Sequence, residues 1–307
     1  MHWLIRLLAL LIVAAGNWVS LSLMAILVLI GWRGATGDSS GDLPIWLPIG
    51  TAVAMVGLGV VSASPWGERF LRLFYPIRPV TKREQAKLGP AFSRVEAAYN
   101  AAHSRPLVAE LFMIDDPMPQ AIALGRGTIA VTRGALDVAE ESELAGVLAH
   151  ESGHLHHRDS MVTSALIGMN SISNLQAAVV RITVAGFFVF LMLGVVLMII
   201  STEDMSWVAG LAILVPVVLG VGLLLNRLIN GVVSLLLRLA DRSVEYRADR
   251  FAGDLGFGPG LVGFLERLAG MEAKTEHGFL VMYLQSHPPT ALRIDRLEAM
   301  QGVEAAA

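Results

Sequence analysis

Residues 149–154 read Ala-His-Glu-Ser-Gly-His, and this short stretch decides how the rest of the chain is interpreted. In a helix, residues four positions apart share one face, so His150 and His154 can direct two imidazole nitrogens at one point. Glu151 follows His150 directly and therefore flanks that point. This H-E-x-x-H pattern predicts a zinc site at which Glu151 takes a proton from the attacking water.

The residues around this stretch predict the helix that the pattern requires. From Glu140 to His157, apolar residues recur at helical spacing, and acidic residues gather at the start, where the helix dipole favours them. The apolar face consists of Leu144, Val147, Leu148 and Leu155. We therefore expect one helix over 140–157 that carries both histidines and Glu151.

A third protein ligand is needed, because a catalytic zinc ion has three protein ligands and one open position. The chain has no cysteine, so this ligand must be a histidine or a carboxylate. His157 comes seven residues after His150, about 10 Å along a helix axis, which is too far to close a tetrahedron. His156 and His157 are therefore interpreted as surface or interface histidines.

A better candidate lies on a second polar helix, predicted over 232–255. Glu245 and Asp249 are four residues apart and share a face of this helix. Glu245 can complete a site of two histidines and one glutamate, and Asp249 can accept a hydrogen bond from the outer nitrogen of a ligand histidine. The alternative is a charged helix face on which arginines pair with both carboxylates: Arg242, Arg247 and Arg250. The spacing alone leaves both interpretations open.

The composition favours a membrane protein. Hydrophobic residues make up 54% of the chain and charged residues 16%, against about 25% charged in an average soluble domain. Four uncharged stretches reach the roughly 20 residues that a helix needs to cross the hydrocarbon core: 7–32, 43–67, 182–202 and 205–226. The first is too long for a cleavable signal and is predicted to be an uncleaved anchor. A fifth stretch, 160–180, is rich in Ser, Thr and Asn and is expected to lie against the protein or the interface.

Basic residues are concentrated after the second and fourth stretches, whereas the short loops after the first and third contain one arginine between them. The positive-inside rule therefore predicts that both termini and both polar regions are cytoplasmic. We expect two transmembrane helices in 1–67, a first polar part in 68–181, a transmembrane hairpin in 182–226 and a second polar part in 227–307. The net charge of −3 gives no electrostatic basis for binding nucleic acid.

The polar parts combine helices with short strands, as apolar spacing and turn signals indicate. Helices are predicted at 81–103, 260–272 and 290–300, and strands at 107–114, 121–124 and 128–132. The expected fold class is a mostly α membrane protein, with four transmembrane helices and a cytoplasmic α+β domain that contains a small sheet.

These segments together resemble the HtpX-type integral-membrane zinc peptidases, gluzincins related to the CAAX prenyl protease family. The matching segments span nearly the whole chain: 149–154 with 159–163, then Glu245-Tyr246-Arg247-Ala248-Asp249, then Ser286-His287-Pro288-Pro289 with Arg293-Ile294. The resemblance implies a gluzincin-type peptidase domain with one zinc ion, held by His150, His154 and Glu245. It also implies that His287 stabilises the oxyanion or holds substrate backbone, and that Arg293 orients the floor of the site.

The resemblance further implies a substrate-binding edge strand that includes Gln120, Ala121, Ile122 and Ala123. An edge strand can pair with an extended peptide through main-chain hydrogen bonds, which suits broad specificity. The resembling family begins this strand with Asn, whereas this chain has Gln120, which keeps the amide and adds a methylene. An ordinary sheet strand packed on the core is the alternative interpretation.

The expected activity is zinc-dependent endopeptidase action at the cytoplasmic face of the inner membrane. The expected partners are the lipid bilayer and polypeptide substrates, either membrane proteins or unfolded chains, and the resemblance implies a role in membrane-protein quality control. Three alternatives stay open: a dedicated CAAX-type processing protease, a non-catalytic zinc-binding scaffold and a transporter. An intact Glu151 disfavours the scaffold, and the uncharged spans disfavour a transport pathway.

Overall fold

The computed structural model describes residues 46–74, 76–165, 242–272 and 288–305, together with isolated positions within 4–22 and 178–232. The chain divides into two compact units: residues 1–7, 60–166 and 235–307 form one, and residues 8–59 and 167–234 form the other. The part boundaries expected from the sequence stay a prediction.

The stretches expected to span a membrane lie largely outside the described residues. Residues 46–62 of the second stretch form a helix, and only scattered positions of the other three are described. Among the helices that the structure does describe, none combines the length and the apolar character needed to cross a bilayer. The arrangement of four transmembrane helices therefore stays a prediction.

Helices make up most of the described chain. They are α1 (Trp46–Ser62), α2 (Pro65–Phe74), α3 (Lys82–Ala102), α4 (Arg133–Val138), α5 (Glu141–His156), α6 (Gly258–Glu272) and α7 (Thr290–Ala305). Residues 159–165 and 242–254 are also helical. The Thr81 side chain accepts a hydrogen bond from the Glu84 backbone at the start of α3, and Glu84 bonds back to the Thr81 backbone. This capping box fixes the helix start where the sequence predicts it.

Four short strands form one mixed sheet beside these helices. They are β1 (Ile77–Pro79), β2 (Glu110–Ile114), β3 (Ala121–Leu124) and β4 (Thr128–Thr132), in the order β1-β2-β4-β3. β2 and β4 are parallel, whereas β1 and β3 pair antiparallel with their neighbours, so β3 lies at an edge. The mostly helical fold with a small sheet is confirmed. The three-residue strand β1 and the short helix α4 were not predicted, and β2 begins three residues later than expected.

Helix α5 lies at the centre of the hydrophobic core. It packs against α3, α6 and β3, and every residue from Glu143 to Gly153 is buried. Apolar side chains from α5, the sheet and the neighbouring helices form this core, among them Leu144, Leu148, Met113 and Leu88. α5 carries the H-E-x-x-H residues. Because the helix is buried, their side chains are held rigidly.

The second apolar stretch ends earlier than its composition suggests. α1 ends at Ser62, the Ser64 hydroxyl donates to the Val61 carbonyl at 2.6 Å, and Pro65 opens α2. Proline suits the first position of a helix because the backbone N–H it lacks has no partner there. The last uncharged residues up to Gly67 therefore belong to a separate helix.

Candidate metal centre

The start of α5 is fixed to α6 by an acidic residue and an arginine. The Glu140 backbone N–H donates to Glu143 Oε2 at 2.8 Å, which closes the first turn. Arg267 of α6 donates through Nε to both Glu143 oxygens at 2.8 Å. The orientation of the helix that carries the two histidines is thus set at its start.

Two imidazoles and one carboxylate converge on a single point. His150 Nε2 and His154 Nε2 lie 3.2 Å apart. Glu245, on helical segment 242–254, places Oε2 at 3.5 Å from the first nitrogen and Oε1 at 3.5 Å from the second. Donor atoms about 2.0–2.1 Å from a tetrahedral zinc ion lie roughly 3.3–3.4 Å from one another. The three side chains therefore have the mutual spacing of a tetrahedral ligand set, and they form a group that could hold a metal ion.

The centre is screened from bulk water. His150, Glu151 and Glu245 are 5%, 7% and 6% exposed, and His154 is half-buried. Electrostatic interactions are stronger in such a site than at the surface, because the effective dielectric constant is lower. Glu151, one residue along α5 from His150, has the burial and the position of a group that acts on a molecule bound at this point.

An outer carboxylate and an arginine orient His150. Asp249 Oδ1 lies 2.9 Å from His150 Nδ1. Arg293 of α7 holds the same carboxylate with two hydrogen bonds, Nε to Oδ2 at 2.9 Å and Nη2 to Oδ1 at 2.7 Å. A carboxylate at Nδ1 favours the tautomer that carries its proton there, which leaves the Nε2 lone pair directed at the centre.

Asp159 occupies the equivalent position beside His154 and was not assigned a role from the sequence. Its Oδ2 lies 3.8 Å from His154 Nδ1. Arg247 donates to both of its oxygens, at 2.7 and 2.9 Å. Arg247 was considered as a partner for Glu245 or Asp249, but it binds Asp159 instead. Asp159 stands five residues after His154, just past the end of α5, so helical spacing gave no signal for it.

The centre carries a surplus of negative charge. Burial lowers the pKa of His154, but interactions with the Asp159 and Glu245 carboxylates outweigh burial and raise this pKa to about 10. Burial also opposes protonation of His150, and interactions with the Asp249 and Glu245 carboxylates raise its pKa nonetheless. The same carboxylates would stabilise a metal cation at this point.

The other histidines lie elsewhere or are not described. His156 points away from the centre and pairs through Nδ1 with the Tyr99 hydroxyl at 2.9 Å. Its ring also lies 4.6 Å from that of His103 and 4.9 Å from that of His157. Neither His156 nor His157 belongs to the ligand group, as expected. His287 falls outside the described residues, so its assigned role stays a prediction.

The expected substrate strand is the edge strand β3. It packs against α5, and Ala121, Ile122 and Ala123 are half-buried. Gln120 directly precedes β3. The Gln120 carbonyl accepts from the Thr132 N–H at 2.9 Å, and the Gln120 N–H donates to the Thr132 hydroxyl at 2.8 Å. β3 pairs with β4 on one side, and no other described strand pairs with it. The structure thus brings an edge strand and the H-E-x-x-H helix together.

The H-E-x-x-H helix is buried, a carboxylate from a distant helix joins its two histidines, and an edge strand packs against it. This combination is typical of the H-E-x-x-H metallopeptidase domains. Residues 82–301 match Peptidase family M48, and the chain belongs to this family. It is 27% identical over 312 residues to a protease HtpX homolog of Salinibacter ruber, and this alignment covers 92% of this chain and 96% of that protein. It is 29% identical over 305 residues to a protease HtpX homolog of Pelotomaculum thermopropionicum, covering 91% of this chain and 95% of that one. The resemblance to HtpX-type peptidases is therefore confirmed.

The chain is also similar to solved structures. The crystal structure of S. mikatae Ste24p aligns over 90% of this chain and 66% of that protein, with a TM-score of 0.44 and 16% sequence identity.

Proposed function

We propose that the protein is a membrane-anchored zinc endopeptidase of family M48. The observation that carries this proposal is the spacing of His150, His154 and Glu245, whose donor atoms lie 3.2 to 3.5 Å apart, next to the buried Glu151. A zinc ion held by these three side chains would lower the pKa of a water molecule and polarise the peptide carbonyl.

Glu151 is the proposed general base and acid. Its carboxylate takes the proton of the attacking water and then passes it to the amine that leaves. Asp249 and Arg293 hold the His150 ring, and Asp159 with Arg247 supports the His154 ring. Buried side chains that are fixed in this way keep the reacting groups in position throughout the reaction.

We assign substrate binding to the edge of β3. An extended peptide that pairs with Ala121 to Ala123 would lie along α5, with its backbone close to the metal centre. Recognition through the main chain suits substrates that share no sequence, such as unfolded segments. His287 is the proposed stabiliser of the oxyanion, and Gln120 the proposed contact at the start of the strand.

The four uncharged stretches and the basic residues that follow two of them support an inner-membrane location with the active site on the cytoplasmic side. The proposed substrates are membrane proteins and unfolded chains, and the proposed role is quality control of membrane proteins. A CAAX-type processing enzyme would instead make one defined cut near a C-terminus. A non-catalytic scaffold would bind zinc and cut nothing.

The test compares the purified full-length protein with Glu151→Gln on an unfolded protein substrate, with and without a chelator. Glu141→Gln is the matched control, because Glu141 is on the same helix with a side chain that is 57% exposed. We expect Glu151→Gln to keep its zinc content and lose at least about 100-fold in cleavage rate, the usual minimum for a general base. Equal cleavage by wild type and Glu151→Gln would reject the assigned base. The pattern of product ends separates broad cleavage from a single C-terminal cut.

A further inference from the structure

Helix α2 exposes an apolar stripe on one face. Trp66, Phe70 and Leu73 are 75%, 58% and 82% exposed and lie at positions i, i+4 and i+7, whereas Leu71 on the other face is 5% exposed. The Arg69 guanidinium stands 5.5 Å from the centre of the Trp66 ring. A short helix with large apolar side chains on one face and a basic residue at its border is typical of a helix that lies in a membrane interface.

The opposite face of α2 is attached to the turn between β3 and β4. Glu68 is 6% exposed, and its Oε2 accepts from the Arg126 backbone N–H at 2.9 Å. Its Oε1 accepts from the Thr128 hydroxyl. A buried carboxylate that accepts from the turn and from the first residue of β4 joins the helix firmly to this hairpin.

The same turn is held from a second direction by the helical segment 159–165. The Ser160 hydroxyl donates to the Gly125 carbonyl at 2.7 Å, and the Gly125 N–H donates to the Ser164 hydroxyl at 2.9 Å. Gly125 has a φ of 58°, and a Cβ at this position would lie 2.3 Å from Glu68 Oε2. The turn at the end of the edge strand is therefore fixed to α2 on one side and to the chain that follows the catalytic helix on the other.

A lipid surface fits the stripe better than a second copy of the chain does. Two aromatic side chains and a leucine can bury roughly 500 Å² in total, whereas a stable protein interface takes about 800 Å² from each partner. Tryptophan is enriched at the headgroup level of membranes. α2 also begins three residues after the end of α1, whose Val53, Val56 and Val60 are each at least 63% exposed. In the chain, α2 thus follows an apolar helix after a two-residue connection.

We propose that the stripe of Trp66, Phe70 and Leu73 lies in the headgroup region of the bilayer, and that Glu68 on the opposite face sets the distance between the lipid surface and the substrate-binding edge. This inference rests on the proposed membrane anchoring. It gives a physical reason for a substrate preference, because an edge strand fixed close to the lipid surface meets chain segments that emerge from the membrane.

The test uses single cysteines in the full-length chain, which has none of its own. Trp66→Cys and Leu73→Cys place a nitroxide label on the stripe at two independent positions. Val108→Cys is the matched control, because Val108 is also apolar and 73% exposed but lies in the loop before β2. Val53→Cys, on α1, reports whether the predicted second span is in lipid. Each variant is reconstituted into vesicles of phosphatidylcholine and phosphatidylglycerol, and its collision rates with oxygen and with a water-soluble nickel chelate are measured.

We expect both stripe labels to have an oxygen-to-nickel ratio several-fold above that of the Val108 label. Stripe labels that match the Val108 label would overturn the inference, and so would dipolar broadening between stripe labels, which would indicate contact between two copies. A Val53 label in lipid together with stripe labels in water would reject the inference and leave membrane anchoring intact. Stripe labels in lipid with the Val53 label in water would support the interfacial helix and count against the predicted second span.

Discussion

Asp249 Oδ1 lies 2.9 Å from Nδ1 of His150, on the side of the imidazole ring that faces away from the metal centre. The Asp249 carboxylate is itself held by two hydrogen bonds from Arg293. Three separate parts of the chain therefore meet at the His150 imidazole: α5, segment 242–254 and α7. We therefore expect zinc affinity to depend on Asp249 and Arg293, two residues outside the proposed ligand group.

Asp249→Asn should weaken zinc binding by about 10–100-fold, because the amide no longer favours the His150 tautomer with its lone pair directed at the centre. Competition with a chromophoric chelator measures the change in the Kd for zinc. Asp254→Asn, an exposed position on the same helical segment, is the control and should bind zinc as wild type does. Equal zinc affinity in both variants would show that Asp249 does not act through His150.

Glu143→Gln should lower the stability of the protein, because Glu143 closes the first turn of α5 and its two carboxylate oxygens share the Arg267 Nε–H. A charged hydrogen-bonded group of this kind contributes about 1–3 kcal/mol. A loss of 1 kcal/mol lowers the Tm of a domain of 150–250 residues by about 2–4 °C. The Tm in detergent micelles checks this.

Glu141→Gln, two residues earlier on α5, is the control for that experiment. Its ion pair with Arg94 is half exposed on both sides, and exposed pairs contribute at most about 1 kcal/mol. The interpretation of the Glu143–Arg267 contact fails if both variants have the Tm of wild type.

The sequence predicted helix α5 and strands β3 and β4 well, because each depends on local signals. α5 needs only apolar spacing and an acidic start, and β3 and β4 are separated by the Gly125-Arg126-Gly127 turn. The contacts of Asp159 with Arg247 and of Glu68 with Thr128 were not predictable. They join residues 88 and 60 positions apart, and which distant charges meet depends on how the helices pack.

Acid should weaken the contact between β1 and α3. The hydrogen bond from Arg78 holds the pKa of Glu84 at about 2, below its ordinary value of 4.5. A carboxylate with a lowered pKa in the folded state stabilises the protein fully above pH 4.5, and this contribution is lost as the pH falls towards 2. The Tm difference between wild type and Glu84→Gln should therefore be largest near neutral pH and shrink below pH 4.5. A difference that stays constant down to pH 3 would contradict the assigned ion pair.

Gly125→Ala should destabilise the turn between β3 and β4 for two separate reasons. Its φ of 58° disfavours any side chain, and the new Cβ would lie 2.3 Å from Glu68 Oε2. An alanine where φ is positive costs more than the 0.4–1 kcal/mol or so that the same change gains at a compatible site. Displacement of Glu68 should also release the edge strand, so the KM for an unfolded substrate should rise while zinc content stays unchanged. The control is Gly270→Ala in α6, where a Cβ would meet no atom within 4 Å, so this change should raise the Tm slightly. A Gly125→Ala protein with the Tm and KM of wild type would show that the Glu68 contact does not hold the strand in place.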